Sequence, residues 1–182
     1  LLVHKQVAHT DLQVKWPNDL FWKQAKLAGI LVESAKLPDS NIPVIVAGIG
    51  LNLHHAISLT ETLKRPIADW SQIADIAPEQ IVIHIANAWT QAIQEYARTG
   101  YASFIARFDH QVNALAGQQV EVTDQGKILN TGVALGCDEI GRLLIDTGQG
   151  SIAVMVGDVS IRSATTNNVV TTETTSAAKR LP

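Results

Sequence analysis

Cysteine is almost missing from this chain: Cys137 is the only one in 182 residues. It cannot close an internal disulfide, and the nearby sequence offers nothing to build a metal cluster around it, so a reducing compartment fits. No apolar run approaches the roughly 18 to 20 residues that a bilayer-crossing helix needs. The opening Leu1-Leu2-Val3-His4-Lys5 is not a charged region followed by an apolar stretch and a cleavage site. These absences give a cytoplasmic protein without a membrane partner. An excess of positive charge is missing too: the net charge of −3 gives no support for nucleic acid as a main partner, which calls for a basic face. Internal repeats are absent. So is an initiator methionine, and the chain begins inside what reads as the end of a helix, so a fragment of a longer protein is expected.

What is present is enough for a real core. Hydrophobic residues make up 46% and charged residues 17%, which is globular composition, and the length suits one ordinary domain plus a small one. The chain is organised around Lys15-Trp16-Pro17-Asn18-Asp19 and, shortly after, Lys26-Leu27-Ala28-Gly29-Ile30-Leu31-Val32-Glu33. Pro17 disfavours the helical region for Trp16, and Asn18 and Asp19 bond readily to local backbone, so a tight turn follows. The expectation is a hairpin of Leu12 to Trp16 with Lys26 to Glu33, separated by a charged excursion and carrying two lysines. Lys26 opens a strand whose later residues read as buried on both faces, and a lysine there calls for an anionic partner. The residues alone leave two readings: a phosphate or carboxylate site, or strand-edge charges reaching to solvent.

Pro43 to Leu51 is a continuous apolar run suited to a central strand. Gly48 and Gly50 weaken a strand interior, so either a bulge or close approach of a ligand is expected there. Asn52 ends the strand; its amide suits an adenine edge or an ordinary turn. From His54 to Pro78 the pattern is loop with a short helix, in which Trp70 is either a stacking platform or the anchor of a loop. No ligand spacing accompanies His54 and His55, so no metal-ligating residues are expected. Pro78 opens a helix with Ile81, Ile85, Trp89, Ile93 and Tyr96 on one core-facing stripe, closed by Gly100. A second helix runs from Tyr101 to about Asn113. Both are expected to cover one face of an antiparallel or mixed sheet, an α+β arrangement. Beyond a boundary near Ala114, short alternating segments at Gln119 to Thr123, Gly126 to Leu135, Arg142 to Asp146, Ser151 to Met155 and Ser160 to Arg162 predict a small barrel. Arg162 is its one singled-out cation. The Thr- and Ser-rich stretch 165–182 is expected to be disordered.

The two lysine strings, the block Val46-Ala47-Gly48-Ile49-Gly50-Leu51-Asn52 and the closing Gly157-Asp158-Val159-Ser160-Ile161-Arg162 resemble the biotin protein ligases over essentially residues 1 to 164. The resemblance implies the C-terminal part of a catalytic domain of class II synthetase type (1–114), a small Src-homology-3-like barrel (115–164) and a tail (165–182). It implies synthesis of biotinyl-5′-AMP from biotin and Mg-ATP (Mg2+ included), then transfer of biotin to a lysine of the biotin carboxyl carrier protein of acetyl-CoA carboxylase. Residue by residue, Lys26 would be catalytic and touch biotin; Gly29, Ile30, Leu31 and Gly48 would line biotin; and Lys15, Asn18, Asp19, Asn52, Trp70 and Arg162 would serve ATP. The family's upstream Gly- and Arg-rich loop and its DNA-binding region are not in these residues, so no repressor role is expected; a homodimer through sheet edges stays open. The rivals are a non-catalytic remnant that binds a ligand or partner, and a lipoate-type acyl-adenylate ligase.

Overall fold

A computed structural model describes residues 11–37, 42–109, 113–155 and, for the backbone, 159–163. The expected tail, 165–182, lies outside the described residues. Two antiparallel sheets and a few helices make an α+β fold. The first sheet runs in chain order: β1 (Leu12–Lys15), β2 (Asp19–Trp22), β3 (Ala25–Lys36) and β4 (Pro43–Leu51). The charged excursion is therefore itself a strand. β1 pairs with β2, not with β3, through Leu12↔Trp22 to Lys15↔Asp19, and this corrects the expected two-strand hairpin. Leu20 and Trp22 pack on the first sheet's core, but Asp19-Leu20-Phe21-Trp22 carries no apolar/polar alternation to announce a strand.

Two helices follow, α1 (Ala56–Leu63) and α2 (Pro78–Thr99), with a 3-10 turn at Trp70–Gln72 between them. The proline at the start of α2 and Gly100 at its end behave as expected. Its stripe does not. Ile81 is buried and Ile85 packs on the cluster of Leu12, Leu27, Ala68 and Trp70, but Ile93 and Tyr96 are 68% and 57% exposed. Among the described residues, Ile81 and Ile85, in its first two turns, are the helix's members of that cluster. The distal half of β3 departs from expectation in the same way: Leu31 to Lys36 are exposed rather than buried on both faces.

The second helix is short, α3 (Ala102–Arg107), and buries none of its residues. No residue of α3 joins the core cluster on the first sheet among the described residues. Phe108, at its end, packs against the core of the second sheet, and the Asp109 carboxylate accepts the Cys137 N–H. The second sheet has β5 (Gln119–Asp124), β6 (Lys127–Cys137), β7 (Leu143–Asp146), β8 (Ser151–Val154) and β9 (Val159–Ser163), in the order β8-β7-β6-β5-β9. All five lie within about two residues of the expected segments. Its core is Val120, Val122, Ala134, Leu143, Ile145 and Val154, joined by Leu115 and, from the first sheet, Trp16. No helix among the described residues is long and apolar enough to cross a membrane.

Gly132 on β6 faces the β7 backbone so closely that a Cβ there would overlap the Asp146 carbonyl and come within 2.7 Å of the Ile145 side chain. Neither can give way inside a paired strand. Gly132→Ala should therefore destabilise the fold by about 3 kcal/mol, measured as a lowered urea midpoint; an unchanged midpoint would show that the strands are not this close.

Candidate functional site

The site is assembled on β2, β3 and β4. The β2–β3 pairing runs Asp19↔Gly29 and Leu20↔Ala28, then slips to Phe21↔Lys26, leaving Leu27 as an extra residue on β3. Lys26 and Gly29 are an odd number of positions apart, so in a regular strand they would face opposite sides. The bulge reverses this and brings Lys26 to the side of Gly29 and Asp19. Consistent with the bulge, the consecutive Leu27 and Ala28 are both buried. Lys26 Nζ and Asp19 Oδ1 then form an ion pair at 2.5 Å, with each side chain about three-quarters covered.

The pair lies across Gly29. A Cβ at that glycine would sit 3.2 Å from Asp19 Oδ1 and 3.5 Å from Lys26 Nζ. Along the same face, Gly50 stands opposite Gly29 and Gly48 opposite Leu31. The β3–β4 register is continuous, so the bulge alternative for Gly48 and Gly50 is excluded, and a Cβ at either would meet nothing within 4 Å. Three glycines thus make the floor of an open groove of about 440 Å³, with Leu31 rising from it and the Lys26–Asp19 pair at one end. Asn18, Asp19, Lys26, Gly29, Ile30, Leu31 and Gly48 all line it. Gly50, for which the sequence offered close approach of a ligand together with Gly48, also lines it, as does Ile49, which was not singled out from the sequence. A larger cleft of about 630 Å³ lies on the second sheet along β6 and the β7–β8 turn, and its lining carries no charged side chain.

Backbone ties hold Lys26 in place. Its N–H donates to the Pro66 carbonyl at 3.1 Å, and its own carbonyl accepts from Ala68 at 2.9 Å. The Asn52 amide nitrogen donates to the carbonyls of Lys26 and Ala68 at 3.2 and 3.1 Å. With carbonyl oxygens as both partners, the amide must present its NH2 here. Asn18 is pinned to β3 in both directions, its side chain donating to the Ile30 carbonyl at 2.7 Å and its carbonyl accepting the Ile30 N–H at 2.8 Å. Its side chain otherwise faces solvent.

The other candidates sit apart from the groove lining. Lys15 stands opposite Asp19 in the β1–β2 register, with its ammonium 5.9 Å from the Phe21 ring centre. Trp70 is 8% exposed and packs with Leu27, Ala68 and Ile81; its indole N–H has no partner among the described residues. It anchors the loop rather than standing out as a platform. The backbone of Arg162 pairs with Glu121, and its side chain lies outside the described residues.

The family models match in two blocks: residues 3–52 match the biotin/lipoate A/B protein ligase family, and residues 116–162 match the biotin protein ligase C terminal domain. The biotin–[acetyl-CoA-carboxylase] ligase of Mycobacterium tuberculosis is 31% identical over 161 residues, 84% of this chain and 54% of that protein. The chain belongs to the biotin protein ligase family. The bifunctional ligase/repressor BirA of Escherichia coli is 27% identical over 165 residues, 89% of this chain and 50% of that protein. This member of the family thus spans about half the length of the curated relatives it matches. The apo structure of the biotin protein ligase from Aquifex aeolicus superposes with a TM-score of 0.70 at 24% identity, covering 84% of this chain and 66% of that one. The complex of that ligase with biotin and ATP gives 0.69 at 24% identity, covering 84% and 62%. These structures establish the shared ligase fold.

One acid beside the site was missed in the sequence, although the Asp-x-x-Gln spacing of a capping box announced it. Asp69 is buried, accepts from the Ala56 N–H and the Ser71 hydroxyl at 2.7 Å each, and shares a capping box with Gln72. Burial pushes its pKa up, but the bonds from Ser71, Ala56 and Gln72 outweigh this, and the net shift is below the ordinary 3.8. A lowered folded pKa means that the stabilisation is present above the unfolded value and is lost as pH falls through the folded one. Asp69→Asn should therefore flatten the acid limb of the stability curve below about pH 4, read as urea midpoint against pH; an unchanged limb would remove Asp69 from that role.

Proposed function

We propose that this chain is part of a biotin–protein ligase, about half the length of the relatives it matches. The enzyme activates biotin with ATP to biotinyl-5′-AMP and transfers biotin to a lysine of the biotin carboxyl carrier protein of acetyl-CoA carboxylase. The observation that carries this reading is Lys26, brought by a bulge to the end of a glycine-floored groove. In the first step a biotin carboxylate oxygen bonds to the α-phosphorus as the bond to pyrophosphate breaks. Two anions must approach, and charge grows on the phosphoryl oxygens; a held ammonium offsets the repulsion and stabilises that charge. Asp19 holds the ammonium in the absence of ligand. In the second step the carrier lysine amine attacks the acyl carbon and AMP leaves.

On this reading Gly29, Ile30, Leu31 and Gly48 contact biotin, since a glycine floor lets a flat ring lie against backbone. Lys15, Asn18, Asp19, Asn52, Trp70 and Arg162 belong to the ATP side, Asn52 and Trp70 by shaping the loop behind Lys26. Among the described residues no three His, Cys, Asp or Glu side chains are grouped to hold a metal, and Asp19 is already engaged. Mg2+ bound with ATP would be held by the phosphates and one or two carboxylates, of which Asp19 is the one that lines the groove. The match to the biotin-specific C terminal domain supports biotin over lipoate. The division at about residue 114, a first domain of class II synthetase type and a second of Src-homology-3 type are part of the same proposal. Two bulges on β6 support the last, because bulges curve a sheet toward closure. A cytoplasmic setting accompanies the substrates, and β4, expected as a central strand but outermost in its sheet among the described residues, with Ile45 and Val46 exposed, is suited to pairing with a second copy.

The test is biotin-dependent exchange of pyrophosphate into ATP, on this chain and on the same chain extended by whatever its gene encodes before Leu1. Exchange in the extended form supports the ligase; none in either form, with both folded, favours the non-catalytic reading. In the active form Lys26→Ala should slow exchange by about 10²- to 10³-fold while changing stability by less than about 1 kcal/mol. Equal loss of both would make Lys26 a structural lysine.

A further inference from the structure

Trp16 belongs to the first lysine string, yet its side chain serves the other sheet. It is 5% exposed and packs with Leu115, Val120, Ala134, Leu143 and Ile145. Its Nε1 donates to the Gly141 carbonyl at 3.0 Å, a bond spanning 125 positions of sequence. The contact is embedded in a close joint. The Val14 carbonyl accepts from Ala114 at 3.0 Å, and the Asn113 side chain donates to Asp109, whose carboxylate receives the Cys137 N–H. A Cβ at Gly136 would come within 2.9 Å of the Asp109 carboxylate, and one at Gly141 within 3.0 Å of the Tyr101 ring.

On its other side Trp16 is two residues from Asn18 and three from Asp19. Between them stands Pro17, with a fixed φ and no N–H. Asn18 is bonded both ways to Ile30, and Asp19 holds Lys26. A displacement of the indole therefore has little slack in which to dissipate before it reaches the ion pair. No lining residue of the groove comes from the second sheet.

We propose that Trp16 is a positioning residue: through its indole, the second sheet sets where the Asn18–Asp19 turn, and with it Lys26, stands in the groove. The inference rests on the ligase reading for its kinetic consequence, not for its structural one. Mere spatial intermediacy does not establish coupling, so the test must measure it.

Trp16→Phe keeps an aromatic ring in the core and deletes the N–H; Gly141→Ala, at φ +86°, displaces the acceptor from the other side without touching the turn. The first readout is amide hydrogen exchange in the full-length protein. Both variants should speed exchange of the Ile30 N–H about tenfold, through loosening of the turn that accepts it, while the Val46 amide on β4 is unchanged. The second is a kinetic cycle with Asp19→Asn. Trp16→Phe alone should lower kcat about tenfold with little change in the KM for biotin, and add nothing in the Asp19→Asn background. Unchanged exchange at Ile30, or losses that multiply in the double variant, would make Trp16 a core filler only and overturn the proposal. Absence of biotin-dependent turnover in the parent protein would instead overturn the ligase reading, and the exchange data would still decide the role of Trp16.

Discussion

The Lys26–Asp19 ion pair across Gly29 is the constraint around which the first sheet is built. A half-buried lysine beside a strand needs its partner delivered from a neighbouring strand on the same face. Three features together meet that requirement. The turn after Trp16 starts β2 at Asp19; the extra residue Leu27 brings Lys26 round; and a glycine at 29 leaves room for both heads. Without the bulge the two heads would face opposite sides of the sheet, and a Cβ at 29 would crowd Asp19 Oδ1 at 3.2 Å. The glycines opposite, Gly48 and Gly50, extend the same bare surface, so the pair stands at the end of a groove rather than under a lid of side chains.

A pair placed this way is useful only if its backbone does not drift. Lys26 is fixed by the loop at 66–68 and by Asn52, and that loop is fixed by Trp70 in the core and by the bonds around Asp69. Asn18 and Asp19 are fixed by Ile30 and, through Trp16, by the second sheet. The two halves of the ion pair are thus anchored to different parts of the molecule. The groove is the place where those anchors meet, and the proposed ligase chemistry uses that preorganisation.

Much of this was legible in the sequence because the residues carry strong local signals. Pro43 to Leu51, the proline and glycine that bracket α2, and the turn-separated strands after 118 all declare themselves by run length or punctuation. β2 was not legible: four residues of mixed polarity give too short a period. The Leu27 bulge was not legible either, since Lys-Leu-Ala-Gly reads as plain strand; the register slip reveals it, together with two consecutive buried residues. The stripe of α2 and the distal half of β3 failed for a different reason. Periodicity says which side chains form a face, but not whether anything among the described residues covers it. The groove residues were named largely through the family resemblance; their common face, by contrast, follows from register, which pattern alone does not specify.

The most direct measurement is a crystal structure of the protein with a non-hydrolysable biotinyl-adenylate analogue. The account predicts the analogue lying over Gly29 and Gly48, with its acyl-phosphate oxygens within hydrogen-bond reach of Lys26 Nζ, and with the ammonium drawn from Asp19 toward the ligand. An analogue bound elsewhere while the Lys26–Asp19 pair stays intact would contradict the account.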